Sequence, residues 1–148
     1  SAIIDAKLGN LNLPLSYLGI HIRSGDIEKK NYAISSYINL AKSLSTNKNI
    51  FVATDNYSSI TKIEESFPEY KIYTFCEPTE TGFNEGAYNS QSKESKKDTL
   101  INLLTDTEGL YRSEIFVGTL SSNVGTFVGM RRKANLWYGI DANEWRIF

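Results

Sequence analysis

Short apolar runs recur along the chain, with helical patterns between them. Leu18 to Ile22 reads as a buried strand. Ser35 and Ser36 are placed to cap a helix whose apolar positions are Ile38, Leu40, Ala41 and Leu44. Ile50-Phe51-Val52-Ala53 is a second, wholly apolar strand that runs into Thr54-Asp55-Asn56. Ser58 and Ser59 can start the next helix, with Ile60, Ile63 and Phe67 on one face and Pro68 as its stop. Lys71 to Phe75 alternates more, as a strand at a sheet edge does. Glu77 to Lys97 is polar, holds Pro78, Gly82 and Gly86, and exceeds the usual connection length, which predicts a functional or mobile loop. Asp98 then opens a helix with Leu100, Ile101, Leu103 and Leu104 spaced for one buried face. Ile115 to Gly118 is a fourth strand. Ser121-Ser122-Asn123 and a helix through Val124, Phe127, Val128 and Met130 come next, then a last short strand at Asn135 to Tyr138 and a tail from Trp145 to Phe148.

Strands that are continuous apolar runs, alternating with helices, predict a mainly parallel sheet covered on both faces. The fold class expected is therefore α/β, a Rossmann-like three-layer sandwich with a sheet of about five strands. Residues 1–16, broken by Gly9, Asn10, Asn12 and Pro14, read as an irregular lead-in, and residues 17–148 as the domain proper. The first residue is not Met, which suggests a piece of a longer protein or one domain trimmed from it.

Bulk composition narrows the chemistry. The chain has 148 residues, enough for one ordinary domain with a full core. Its formal net charge of −1 supplies no overall field to recruit nucleic acid. The basic run Arg131-Arg132-Lys133 reads as a match to a helix C-terminus. Cys76 is the only cysteine and His21 the only histidine, so there is no internal disulfide, no cysteine zinc site and no multi-histidine metal site. No apolar run approaches the ~20 residues of a membrane span, and no signal peptide opens the chain. Neither a Gly-rich dinucleotide fingerprint nor a Walker sequence follows a strand. A phosphate would have to be held by side chains and helix N-termini.

Polar groups gather where strands end. The first strand runs out in His21, Arg23, Ser24, Gly25 and Asp26, the second in Thr54, Asp55 and Asn56, the fourth in Thr119, Ser121, Ser122 and Asn123. In a parallel sheet these C-terminal ends share one edge, where ligands of open α/β sheets bind. Arg23 offers a guanidinium fork to phosphate oxygens. Ser121-Ser122-Asn123 opens a predicted helix, whose free N–H groups favour an anion opposite Arg23. Each group has a plainer reading: polar turn for the first, helix caps for Asp55 and for the serines. It is the agreement of three strand ends that favours a site.

These segments resemble the nucleotide-binding, C-terminal half of the superfamily that groups α1,2-, α1,6- and protein O-fucosyltransferases. His21-Ile22-Arg23-Ser24-Gly25-Asp26 matches its His-x-Arg-x-x-Asp motif, Val52 to Asn56 its second strand end, and Phe116 to Asn123 its strand leading into paired serines. Asp106 falls at the family's nucleotide-contacting aspartate. The similarity runs from about Leu18 to Arg132. The resemblance implies one half of a two-domain, GT-B-type glycosyltransferase that binds GDP-fucose. Transfer of L-fucose to a glycan or protein hydroxyl would invert the anomeric centre, with no cofactor and no metal. It implies that Arg23 holds the β-phosphate and stabilises the departing diphosphate. His21 and Asp106 would contact the guanosine part, and Ser121, Ser122 and Asn123 would hold the diphosphate.

Several family members carry a second arginine where this chain has Ser24, which removes a cation from the leaving-group site. Asp26 joins Arg23 as a catalytic candidate by proximity, as does Glu28, each also readable as a turn or surface residue. The partners implied are GDP-fucose, a glycan or glycoprotein acceptor and a missing N-terminal domain, with no nucleic acid. A cytoplasmic setting is expected if the source is bacterial or viral, and the secretory-pathway lumen if eukaryotic. The alternative is a non-catalytic module that binds a nucleotide, a sugar or a protein. Trp137, Tyr138 and Trp145 read as core or interface aromatics, and Tyr88 in the polar loop as a ligand-contact candidate.

Overall fold

The structure, a computed structural model, describes residues 2–22, 34–79, 93–118 and 137–139. Its elements are α1 (Ala2–Gly9), β1 (Leu18–Ile22), α2 (Ile34–Leu44), β2 (Asn49–Thr54), α3 (Tyr57–Ser66), β3 (Lys71–Tyr73), α4 (Lys93–Tyr111), β4 (Ile115–Gly118) and β5 (Trp137–Gly139). The strands pair in the order β3-β2-β1-β4-β5, every pair parallel. β1 is central: Leu18 lies opposite both Ile50 of β2 and Ile115 of β4. All five of its residues are buried, as expected of a strand covered on both faces. β3 is the edge expected from its alternating sequence, with Lys71 exposed.

Strand alternation sorts the core into two layers. Leu18, Ile20 and Ile22 of β1, Ile50 and Val52 of β2 and Val117 of β4 pack against Ile34, Tyr37, Ile38 and Ala41 of α2 and Ile60 and Ile63 of α3. Tyr17, Phe51, Ala53 and Phe116 face the other way and pack with Leu110 of α4. The steps β1 to β2 to β3 carry their helices on one face, and the step back to β4 carries α4 on the opposite face, as right-handed crossovers require. The result is the three-layer α/β sandwich that the pattern predicts.

Several local expectations need correction. The lead-in is not irregular throughout: Ala2–Gly9 is a helix. It is held by Arg112, just past the end of α4, donating to Asp5 at 2.6 Å, and by Lys7 donating to Asn102 of α4 at 3.0 Å. Ser35 and Ser36 lie inside α2, which is already helical at Ile34. The cap of α3 is Asn56, whose Oδ1 accepts from the Ser58 amide at 3.0 Å, so neither Ser58, Ser59 nor Asp55 has that task. The helix assigned to Asp98 begins at Lys93, so the polar segment ends earlier than its composition suggests. The predicted buried face of that helix is not buried: Leu100, Leu103 and Leu104 are 51%, 48% and 43% exposed. The side of α4 turned to the sheet carries Thr105, Gly109 and Leu110 instead.

Small residues let α4 lie close. A Cβ on Gly109 would come within 2.7 Å of the Phe51 ring, and one on Gly19 within 2.6 Å of Ser113 Oγ. Tyr17, just before β1, donates its hydroxyl to the Gly109 carbonyl at 2.6 Å, fixing the helix against the strand by a buried hydrogen bond.

Candidate functional site

His21 stands on the last turn of pleat before β1 ends at Ile22, and it is 8% exposed. Alternation from Tyr17 and Gly19 turns it to the α4 face. Its register partner on β2 is Ala53, which faces the same way. On the β4 side stands Gly118, where an added Cβ would sit 3.4 Å from His21 Cβ and 2.8 Å from Phe116 Cζ. The imidazole therefore occupies a slot between an alanine and a glycine that leave room for it.

Asp106 comes from the helix above this slot. Leu110 is level with Gly19, since a Cβ there would be 3.3 Å from Leu110 Cδ2. One helical turn back along α4 leads to Asp106, a rise of about 6 Å. Two residues forward along β1 lead from Gly19 to His21, also a rise of about 6–7 Å. By these ideal rises, Asp106 lies toward the C-terminal edge of the sheet, on the side of the sheet to which His21 turns. His21 Nδ1 and Asp106 Oδ1 are both fully buried atoms.

At the end of β2, Thr54 is buried and its Oγ1 accepts from the Asn56 amide at 3.3 Å. With Asn56 capping α3, Thr54 and Asn56 shape the turn. Asp55 lies half-buried between them. Arg23, Ser24, Asp26 and Glu28 lie outside the described residues, as do Thr119, Ser121, Ser122, Asn123, Tyr88, Trp145 and the run Arg131 to Lys133, and so does the helix expected over Val124 to Met130. Trp137 and Tyr138 are placed in β5 by their backbone. Of the residues that the resemblance assigns to the nucleotide, His21 and Asp106 are the two among the described residues.

Two shifts in titration belong to the other edge of the sheet. The Arg112 guanidinium beside Asp5 holds its carboxyl below the usual range, and burial pushes the Tyr70 hydroxyl up. Arg112 and Tyr70 precede β4 and β3, at the opposite, N-terminal edge of the sheet. Among the described residues no three His, Cys, Asp or Glu side chains are grouped to hold a metal, and no helix is long and apolar enough to cross a membrane.

Ala53 and Gly118 are site residues that composition alone does not reveal. The signal for Gly118 was present in the sequence: a glycine closing a strand of three large apolar residues, level with the histidine of the neighbouring strand.

No family model matches the sequence, and no curated protein matches it. Solved structures do match the fold. The α-1,6-fucosyltransferase NodZ soaked with GDP-fucose superposes with a TM-score of 0.61 at 22% identity, over 88% of this chain and 40% of that one. NodZ co-crystallised with GDP gives a TM-score of 0.58 at 21% identity, over 86% of this chain and 39% of the other. Fucosyltransferase NodZ from Bradyrhizobium gives 0.57 at 21% identity, over the same shares. The chain thus spans about 40% of the length of the fucosyltransferase it matches, and its α/β architecture is a fucosyltransferase-like fold.

Proposed function

We propose that this chain is the donor-binding domain of a fucosyltransferase-like glycosyltransferase and that it takes GDP-fucose at the C-terminal edge of its sheet. The observation that carries the reading is the slot at that edge: His21 buried between Ala53 and Gly118. His21, and Asp106 of α4, are the residues that the resemblance assigns to the guanosine part. The matched structure that was soaked with GDP-fucose supports the choice of donor.

In this reading Arg23, one residue beyond β1, holds the β-phosphate, and Ser121, Ser122 and Asn123 hold the diphosphate from the other side. Fucose leaves GDP through a centre of oxocarbenium character. The negative charge grows on the departing diphosphate, where a fixed guanidinium stabilises it more in the transition state than in the ground state. The acceptor hydroxyl attacks from the opposite face and inverts the anomeric centre. Asp26 is the carboxylate nearest in sequence that can take the hydroxyl proton. The mechanism proposed uses no metal and no cofactor.

The test has two arms. GDP-fucose should raise the melting temperature of the chain, and Arg23→Ala should abolish that rise, because it removes the phosphate clamp while leaving the sheet intact. A rise that survives Arg23→Ala moves the phosphate site elsewhere. GDP release from GDP-fucose then separates a transferase from a binder. Ser24 in place of a second arginine, and the 40% span of the matched chain, favour the alternative of a module that binds the nucleotide without turnover. Binding without GDP release, in the longest natural polypeptide that contains these residues, establishes that alternative.

A further inference from the structure

Two rows of residues on the middle strands face α4. In the lower row Gly19 of β1 stands between Phe51 of β2 and Phe116 of β4. In the upper row, one pleat nearer the C-terminal edge, His21 stands between Ala53 and Gly118. Large and small residues thus alternate along the rows and between them, so each ring has a small neighbour to lean over. The two phenylalanines use that freedom differently. The Phe51 ring lies under Gly109 of α4, with Cε2 only 2.7 Å from where a Cβ would be. Leu110 and Ser113 crowd the space over Gly19, and the Phe116 ring leans away from it along its own strand. Its tip, Cζ, would be 2.8 Å from a Cβ on Gly118, and the same Cβ would be 3.4 Å from His21 Cβ. The ring tip and the His21 side chain therefore border one space. Gly118 lies in regular strand with a backbone that any residue adopts, so the ring is what bars a side chain there.

We propose that Phe116 is a positioning residue for His21: its ring tip fills the side-chain space of Gly118 and closes the β4 side of the slot that holds the imidazole. A histidine side chain has several staggered rotamers, and a glycine beside it excludes none of them. The ring supplies the missing wall. It does so from the core, where Phe116 is fully buried and packed with Tyr17, Phe51, Ala53 and Leu110, so the wall itself is held in place. A recognition residue is only as well placed as the side chains that lock it. The inference rests on the reading of this edge as the guanosine site. What it adds is that the contact His21 makes there depends on a phenylalanine with no surface of its own to offer a nucleotide.

The test reads the imidazole directly. His21 is the only histidine, so the tag-free chain gives a single imidazole Cε1–H signal in NMR. Phe116→Leu shortens the side chain below the reach of the shared space and should displace or broaden that signal. Gly118→Ala sets a Cβ against the ring and should displace it as well. In the double variant the shorter leucine makes room for the new Cβ, which stands in ordinary contact with His21, and the signal should return toward its wild-type position. GDP affinity by calorimetry should follow the signal. It should be about tenfold weaker in each single variant and within about threefold of wild type in the double, the non-additivity of two residues that share one space. A His21 signal unmoved by Phe116→Leu overturns the proposal, as does a GDP affinity that the same substitution leaves intact. A double variant further from wild type than either single one also overturns it, because the losses then add as independent packing defects do. Should Phe116→Leu not fold, Gly118→Ala against the double variant makes the same comparison. A wild-type chain that binds no GDP refutes the nucleotide site, while the His21 signal of the free chain still decides whether Phe116 positions it.

Discussion

A single missing side chain shapes the candidate site. Gly118 leaves the space that the Phe116 ring and His21 fill, and a Cβ there would approach Phe116 Cζ to 2.8 Å. Gly118→Ala should therefore destabilise the chain by about 1–3 kcal/mol, the usual cost of overpacking, as read from urea unfolding. It should also weaken GDP binding, because the ring or the imidazole must give way. Gly9→Ala is the matched control. Nothing lies within 4 Å of that position, so its effect should stay within about 0.5 kcal/mol. A Gly118→Ala protein as stable as the Gly9→Ala one would show that the slot has slack and does not position His21.

Strands were the most legible elements. β1, β2 and β4 are continuous apolar runs whose bounds in the structure differ from the sequence reading by a residue or less. Helix ends were less so, because several residues of suitable chemistry compete at each. Asn56 caps α3 although two serines follow it, since an Asn two residues before Ser58 reaches that amide. Asn56→Ala should cost about 1 kcal/mol and shift the urea midpoint without changing the slope. α1 was illegible for a different reason. Its one buried residue is Leu8, and its ties to Asn102 and Arg112 reach across 95 and 107 residues of sequence. No local pattern carries that information. The Asp5 carboxyl is held down by its hydrogen bond to Arg112, so its folded value lies below its unfolded one. The stabilisation is present above the unfolded value and fades as pH falls below about 4, through the lowered folded value. Hydrogen exchange should find α1 protected at neutral pH and released in acid before the sheet is. Protection of α1 that is unchanged at pH 3 would remove the ion pair from the account. The apolar stripe of α4 shows the opposite limit of local reading. Its pattern predicts burial, and the structure leaves Leu100, Leu103 and Leu104 about half exposed while Thr105, Gly109 and Leu110 face the sheet.

For the whole molecule, one parallel sheet sets where chemistry happens. Every strand points its C-terminal end to the same edge, so residues distant in sequence, His21 at the end of β1, Asp55 after β2 and Gly118 of β4, meet there without further design. That convergence was readable from the order of strands and polar ends. The close seating of α4 on the sheet was not, because it depends on how Leu110 and Ser113 lie over Gly19. The central claim is that this edge holds a guanosine diphosphate, and thermal unfolding with GDP tests it most directly. At a hundredfold excess over its dissociation constant GDP adds about 2.7 kcal/mol, a rise of roughly 5–10 °C in Tm for a domain of this size, with no comparable rise from UDP. A melting curve that millimolar GDP leaves unmoved contradicts the account.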